Sequence, residues 1–188
     1  MHPAIPPTDG DLVRQMIAGS EDAFGALYER CSTSVYRFAL HMSGDQHIAE
    51  EVTQDTFMTF IRRSSMFDET RGSLVSWLLG IARNMTRRAL GVAAGVAADE
   101  TPLDDSIEYA APSDVLTDLT RGEMIGAVRQ AVALLPPAYR EVVVLCDLQE
   151  MDYRDAATAL DCPVGTVRSR LHRARTMLMT KLQARCAV

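Results

Sequence analysis

From Phe24 to Met85 the large apolar residues recur at steps of three and four, and no stretch of the chain alternates convincingly with a period of two. Steps of three and four place side chains on one face of a helix, whereas a half-buried strand needs every second residue. Helices with one apolar face bury it against other helices, so the pattern predicts an all-α fold. Within this stretch Phe24, Leu27, Tyr28, Cys31, Val35, Phe38, Ala39 and Met42 form one stripe. Ile48, Val52, Phe57, Phe60 and Ile61 form a second, and Leu74, Trp77, Leu78, Ile81, Ala82 and Met85 a third. Ser20, Asp45 and Ser73 stand where N-caps belong, and Gly44 where a helix stops. A shorter helix with Leu12, Val13, Met16 and Ile17 precedes them, started by Asp9 or Asp11 and stopped by Gly19.

The pattern is interrupted once. Gly91 to Ala98 is low in complexity, and the stretch after it contains Pro102 and Pro112 with little large apolar surface to offset the entropy of ordering. Helical spacing resumes with Val115, Leu116, Leu119, Met124, Ile125, Val128, Val132 and Leu135, breaks at Pro136-Pro137, and continues through Val142, Val143, Leu145 and Cys146 to near Leu148. The expected organisation is a frayed N-terminus over 1–10, a helical bundle over 11–90, a flexible acidic linker over 91–113 and a second helical domain over 114–188. A chain of 188 residues with 47% hydrophobic residues can supply two such small cores.

The net charge of −6 argues mildly against a simple nucleic-acid binder, but the average conceals an asymmetry. Asp99 to Asp118 carries seven acidic residues and no basic one; Pro163 to Arg185 carries six basic residues and no acidic one. In the basic stretch Asp152 can cap a short helix bearing Ala156, Ala157 and Leu160. Asp161-Cys162 makes a tight turn, and Pro163 starts a second helix with Val164, Val167, Leu171, Ala174, Leu178 and Leu182 on its buried seam. Two short helices joined this way, over about 153–172, describe a helix-turn-helix. Arg168, Ser169, His172 and Arg173 lie off the seam at positions suited to base edges, and Thr166, Arg170 and Arg175 at positions suited to phosphates. The alternative is a solvated helix face, with His172 a surface histidine. The absence of any acidic partner in the run favours a polyanion.

The third stripe carries a second candidate. Arg83, Asn84, Arg87 and Arg88 follow Trp77 on the same helix, with the Ser64–Gly72 loop just before it. Such a set can hold unstacked single-stranded bases, or it can be a core tryptophan followed by a solvated basic helix end. Cys31, Cys146, Cys162 and Cys186 form no C-x-x-C pair and do not cluster with the four histidines, so no metal or cofactor is expected. There is no Gly-rich phosphate loop, nucleophile motif or His/carboxylate metal spacing, and an enzyme is not expected. No apolar run reaches about 18 residues, and Met1 to Pro7 lacks the basic start and apolar stretch of a signal peptide, which predicts a cytoplasmic protein without membrane insertion.

Three segments resemble the extracytoplasmic-function (ECF) sigma factors, the small two-region class of bacterial transcription initiation factors. They are Ala49-Glu50-Glu51-Val52-Thr53-Gln54-Asp55-Thr56-Phe57; Arg71-Gly72-Ser73-Leu74-Val75-Ser76-Trp77-Leu78-Leu79-Gly80-Ile81-Ala82-Arg83-Asn84; and Cys162-Pro163-Val164-Gly165-Thr166-Val167-Arg168-Ser169-Arg170-Leu171-His172-Arg173-Ala174-Arg175. The resemblance covers about 11–90 and 115–185. It implies that the first domain binds core RNA polymerase, at the clamp helices of the largest subunit, through about 51–64. Gln54, Asp55, Phe57, Met58 and Ile61 are the carried-over positions, with core packing an equal alternative for Phe57. It implies that the same domain captures the single-stranded −10 promoter element, with a base-receiving loop at Met66–Ser73 and Asn84 near the element. The second domain would read double-stranded −35 DNA and meet the polymerase flap. An anti-sigma partner is expected to hold such a factor inactive.

The −10 and −35 elements, about 25 base pairs apart, are separated by ~85 Å along the duplex. A linker over 91–113 extends at most ~75 Å, and the domains' own widths cover the rest. Its acidity would mimic nucleic acid and mask Arg168–Arg175 in the free protein. The segment Gln149 to Ala156 departs from the family pattern, which has a Gly, a Ser and a larger aliphatic residue there; Ala156 predicts a smaller contact between the helices of the motif. His172 falls where the family varies. A dimeric helix-turn-helix regulator binding a palindromic operator is the rival reading, and it leaves the first domain unexplained.

Overall fold

The computed structural model describes residues 6–91 and 121–186, with side chains at 6–91 and 124–183. The linker reading, the start of the second domain before Arg121 and any masking by the acidic stretch lie outside the described residues. Among them the elements are helical, and no strand occurs.

Helices α1 (Asp9–Ile17), α2 (Glu21–Ser43), α3 (Gln46–Arg63) and α4 (Leu74–Ala89) build the N-terminal bundle, with α2, α3 and α4 in mutual contact. The anticipated caps operate: Ser20 Oγ accepts from Ala23 N–H, Asp45 from His47 and Ile48 N–H, and Ser73 from Ser76 N–H. Gly44 ends α2 at φ +71, a conformation glycine adopts without a Cβ clash. The start of the chain differs from the sequence expectation. Thr8, not Asp9 or Asp11, caps α1, because its hydroxyl and the Asp11 carboxylate close a reciprocal capping box. Arg30 adds an ion pair to Asp9 at 2.9 Å and donates to the Pro7 carbonyl, so α1 takes in two residues assigned to a frayed end.

The C-terminal domain comprises α5 (Arg121–Ala133), α6 (Pro137–Val143) running on as a π turn over Val144–Leu148, α7 (Tyr153–Leu160) and α8 (Val164–Cys186). Pro137 opens α6 at its first turn. Arg140 gathers the α5–α6 junction by donating to the carbonyls of Ala133 and Leu135. Between the π turn and α7, Glu150 adopts φ +56. This residue lies in the segment where the family pattern has a glycine, which reaches that conformation at lower cost.

The two domains pack together. Helix α4 lies against α7, and α2 touches α5, α6 and the π turn. Core residues from Leu12 to Ala174 therefore form one continuous apolar cluster.

Candidate functional site

The helix-turn-helix forms as its local chemistry requires. Asp152 caps α7 by accepting from Arg154 and Asp155 N–H at 2.8 and 2.9 Å. Asp161 makes the turn at φ +50, which aspartate tolerates better than most residues. The Pro163 carbonyl then accepts the first N–H groups of α8, from Thr166 and Val167. Val167, Leu171 and Ala174 are buried, Val164, Leu178 and Leu182 half-buried, and Ala156 of α7 is fully buried.

Opposite that seam, Arg168, Ser169 and His172 are exposed, while Thr166, Arg170 and Arg173 are half-covered. Two contacts steady the basic face. The Arg168 guanidinium lies over the Tyr153 ring at 5.9 Å. Arg175 engages Asp147 of the π turn through two bonds, Nη2–Oδ1 at 2.6 Å and Nε–Oδ2 at 3.2 Å. The sequence expectation that this run lacks an acidic partner is therefore corrected at Arg175. Its partner comes from another element, 28 positions away, and helical spacing along α8 could not reveal it.

On the N-terminal bundle, α2 and α3 enclose an open groove of about 610 Å³, lined by Tyr28, Tyr36, Gln54, Phe57, Met58 and Ile61 among others. Met58 is 44% exposed and Ile61 47%, an apolar surface left uncovered by the chain itself. Phe57 is the floor rather than the rim: it is buried in an aromatic cluster, 4.6 Å from Tyr28 and edge-on to Phe24 and Phe60. Asp55 is exposed beyond the lining. The sequence reading missed Tyr28 and Tyr36, which sit at the edge of the α2 core stripe and carry a signal only once α3 is set beside them.

The five residues expected near single-stranded DNA divide by helical phase. At about 100° per residue, Trp77, Asn84 and Arg88 share one side of α4, and Arg83 and Arg87 another. Asn84 and Arg88 are exposed. Trp77 is half-buried, its ring 6.0 Å from Phe60 and 5.8 Å from Phe67. Arg83 instead turns toward the C-terminal domain, where its Nε lies 2.9 Å from Glu141 Oε1 and its Nη1 donates to the Leu160 carbonyl at 3.1 Å. The Nε–H is not aimed along a hydrogen bond, so the Glu141 contact is an ion pair of charge rather than direction. The loop before α4 is tied to α1: Arg14 pairs with Glu69 at 3.2 Å, and Gly10 leaves the room that the Glu69 carboxylate fills. Met66, at the start of that loop, is exposed.

Burial pushes the Cys31 thiol up to about 12 and the Cys146 thiol to about 11, and raises that of Cys162. They are protonated at neutral pH and poor nucleophiles. Among the described residues no three His, Cys, Asp or Glu side chains are grouped to hold a metal ion, and no helix is long and apolar enough to cross a membrane.

Residues 27–94 match the family model for Sigma-70 region 2, and residues 125–178 that for Sigma-70, region 4. The ECF RNA polymerase sigma-E factor of Haemophilus influenzae is 30% identical over 188 residues, covering 94% of this chain and 96% of that protein. The chain is an ECF sigma factor. Its region 2 spans α2 to α4, and its region 4 runs from α5 through most of α8. The ECF sigma factor SigE of Mycolicibacterium smegmatis is 35% identical over 147 residues. The chain spans only 55% of that protein, and 62% of the Streptomyces coelicolor relative BldN. Among solved structures, CnrH in complex with the cytosolic domain of CnrY shares the fold, with a TM-score of 0.71 at 24% identity, covering 94% of this chain and 97% of that one. The sigma factor RpoE of Bartonella quintana, in complex with the anti-sigma factor NepR, gives 0.63 at 25% identity over 85% of this chain and 96% of that one.

Proposed function

We propose that this ECF sigma factor binds core RNA polymerase through the α2–α3 groove and directs it to promoters by reading −35 duplex with α8 and −10 single strand with α4. One observation carries the proposal: a single chain presents both a helix-turn-helix with an exposed basic helix and, between α2 and α3 of the N-terminal bundle, an uncovered apolar groove. The groove supplies a protein-binding surface through Tyr28, Met58 and Ile61 over Phe57, with Gln54 and Asp55 as polar contacts to the clamp helices. Arg168, Ser169, His172 and Arg173 read base edges, while Thr166 and Arg170 hold phosphates, with Arg175 joining them when Asp147 releases it. Trp77, Asn84 and Arg88 form the −10 surface beside the Met66–Ser73 loop, with Arg87 on the neighbouring side of α4; Arg83, held by Glu141, reaches it only when that pair parts.

The protein contributes recognition, and the polymerase performs the bond-forming chemistry, in the cytoplasm. An anti-sigma partner restrains it, a reading supported by the likeness to RpoE, which is seen in complex with the anti-sigma factor NepR. A dimeric operator-binding regulator would leave the groove without a use. Run-off transcription with purified core polymerase on genomic fragments tests the proposal. Discrete start sites that require this chain support it; failure of the chain to associate with core polymerase removes it.

A further inference from the structure

We propose that α1 braces the Met66–Ser73 loop, and that Gly10, Arg14 and Glu69 are thereby positioning residues that sharpen base discrimination at the −10 element. The inference rests on the reading of that loop as part of the −10 surface.

The loop has few bonds of its own. Asp68 gathers its middle: the carboxylate accepts from the Thr70 N–H at 3.0 Å and the Thr70 hydroxyl at 2.7 Å, and the carbonyl takes the Arg71 N–H at 3.1 Å. Phe67 packs 5.8 Å from Trp77. Met66, Glu69, Thr70 and Arg71 are exposed. Glu69 alone of these four reaches across to α1, where its carboxylate fills the space a Cβ on Gly10 would take and pairs with Arg14 at 3.2 Å.

The partner on α1 is already held. Arg14 pairs through its other terminal nitrogen with Asp11 at 2.7 Å, and Asp11 closes the capping box with Thr8. Helix α1 is in turn seated on the bundle: Leu12 and Val13 are buried, and Arg30 of α2 engages Asp9 and the Pro7 carbonyl. An isolated exposed ion pair contributes little, whereas several charges joined in a network contribute more. Here the contribution falls on the loop. A loop held in its binding shape has less ordering left to do when a base enters, which favours the fitting base, and a loop that cannot adapt rejects the others.

Glycine at position 10 makes the seat possible. A methyl group there would displace the Glu69 carboxylate, the mobile end of a flexible side chain, and so part it from Arg14. Alanine favours a helix more than glycine does, so Gly10→Ala acts on the loop without weakening α1.

The test uses the full chain, alone and assembled with core polymerase. In the chain alone, Gly10→Ala is expected to speed amide hydrogen exchange at Thr70 and Arg71 about threefold by NMR, with exchange in the middle of α2 unchanged. In the assembly, fluorescence anisotropy compares the single strand of a start site located by run-off transcription with its single-base variants. Gly10→Ala and Glu69→Ala should each reduce the preference for the original base about threefold, the size of a small networked pair. Gly10→Ala added to Glu69→Ala should change nothing further, because no carboxylate remains to displace; a general disturbance of α1 would add to the loss instead.

Unchanged exchange in both single variants overturns the brace. Faster exchange with an unaltered preference among bases, or a further loss in the double variant, overturns its part in reading. If Gly10→Ala loses helical content, Glu69→Ala decides through the same two readouts. A wild-type assembly that binds every strand alike, or starts nowhere, removes the −10 reading and the discrimination role with it, while exchange in the chain alone still decides whether α1 holds the loop.

Discussion

Helices α4 and α8 are built alike and end up doing different things with their arginines. Each buries an apolar seam, Leu74, Leu78, Leu79 and Ala82 in one and Val167, Leu171 and Ala174 in the other, and each carries basic residues off that seam. On α8 the cations at the start of the helix stay outside, with Arg168 resting on Tyr153 and Arg175 held at the rim by Asp147. On α4 the approach of the C-terminal domain, with α7 alongside Gly80, brings Glu141 of α6 within reach, and Arg83 is drawn into a covered pair with it. A basic helical face therefore reports the availability of cations for DNA only after its neighbours are known.

The largest expected effects test the claim that the seams are equivalent. Leu78→Ala and Leu171→Ala each remove a fully covered side chain and should lower stability by about 2–5 kcal/mol in denaturant titrations; a loss below about 1 kcal/mol for either would break the parallel. The outer faces should then part company. Arg168→Ala is expected to cost about 1–3 kcal/mol in −35 duplex affinity, and unequally among base substitutions, as a lost base contact does. Asp152→Ala removes the cap of α7 and should cost about 1 kcal/mol of stability, measured by the same titration.

Glu150→Gly relieves a left-handed backbone and should gain about 0.5–1 kcal/mol, since the relief exceeds glycine's extra unfolded-state entropy. The smallest stability change belongs to Asp147→Asn, under about 1 kcal/mol for an exposed pair. That variant sharpens the contrast elsewhere: with Arg175 released to phosphate, the logarithmic salt dependence of duplex binding should steepen by about one contact. An unchanged slope would show that Arg175 makes the same contact in either state.

Much of this was readable along the chain. The stripes located α1 to α8, and Ser20, Gly44, Asp45, Ser73, Asp152 and Asp161 marked ends among them, because caps and turns depend on residues within four positions of one another. The helix-turn-helix and the exposed residues of its second helix were legible for the same reason. Thr8 is the exception: Asp9 and Asp11 offered competing caps, although Thr8 and Asp11 already have the three-residue spacing of the capping box that they form.

The sequence by itself determined the helical class, the seam of each helix and the chemical character of each outer face, since these follow from a fixed 3.6-residue period and from side chains whose preferences act locally. Which outer groups meet another element was settled by the three-dimensional packing. Phe57 as a groove floor, Asp147 beside Arg175, Ser73 on Asp155 and Arg83 on Glu141 all join residues between 28 and 82 positions apart or on different helices. Such contacts are set by how whole apolar faces pack, and charges placed at their margins acquire partners only when that packing is complete.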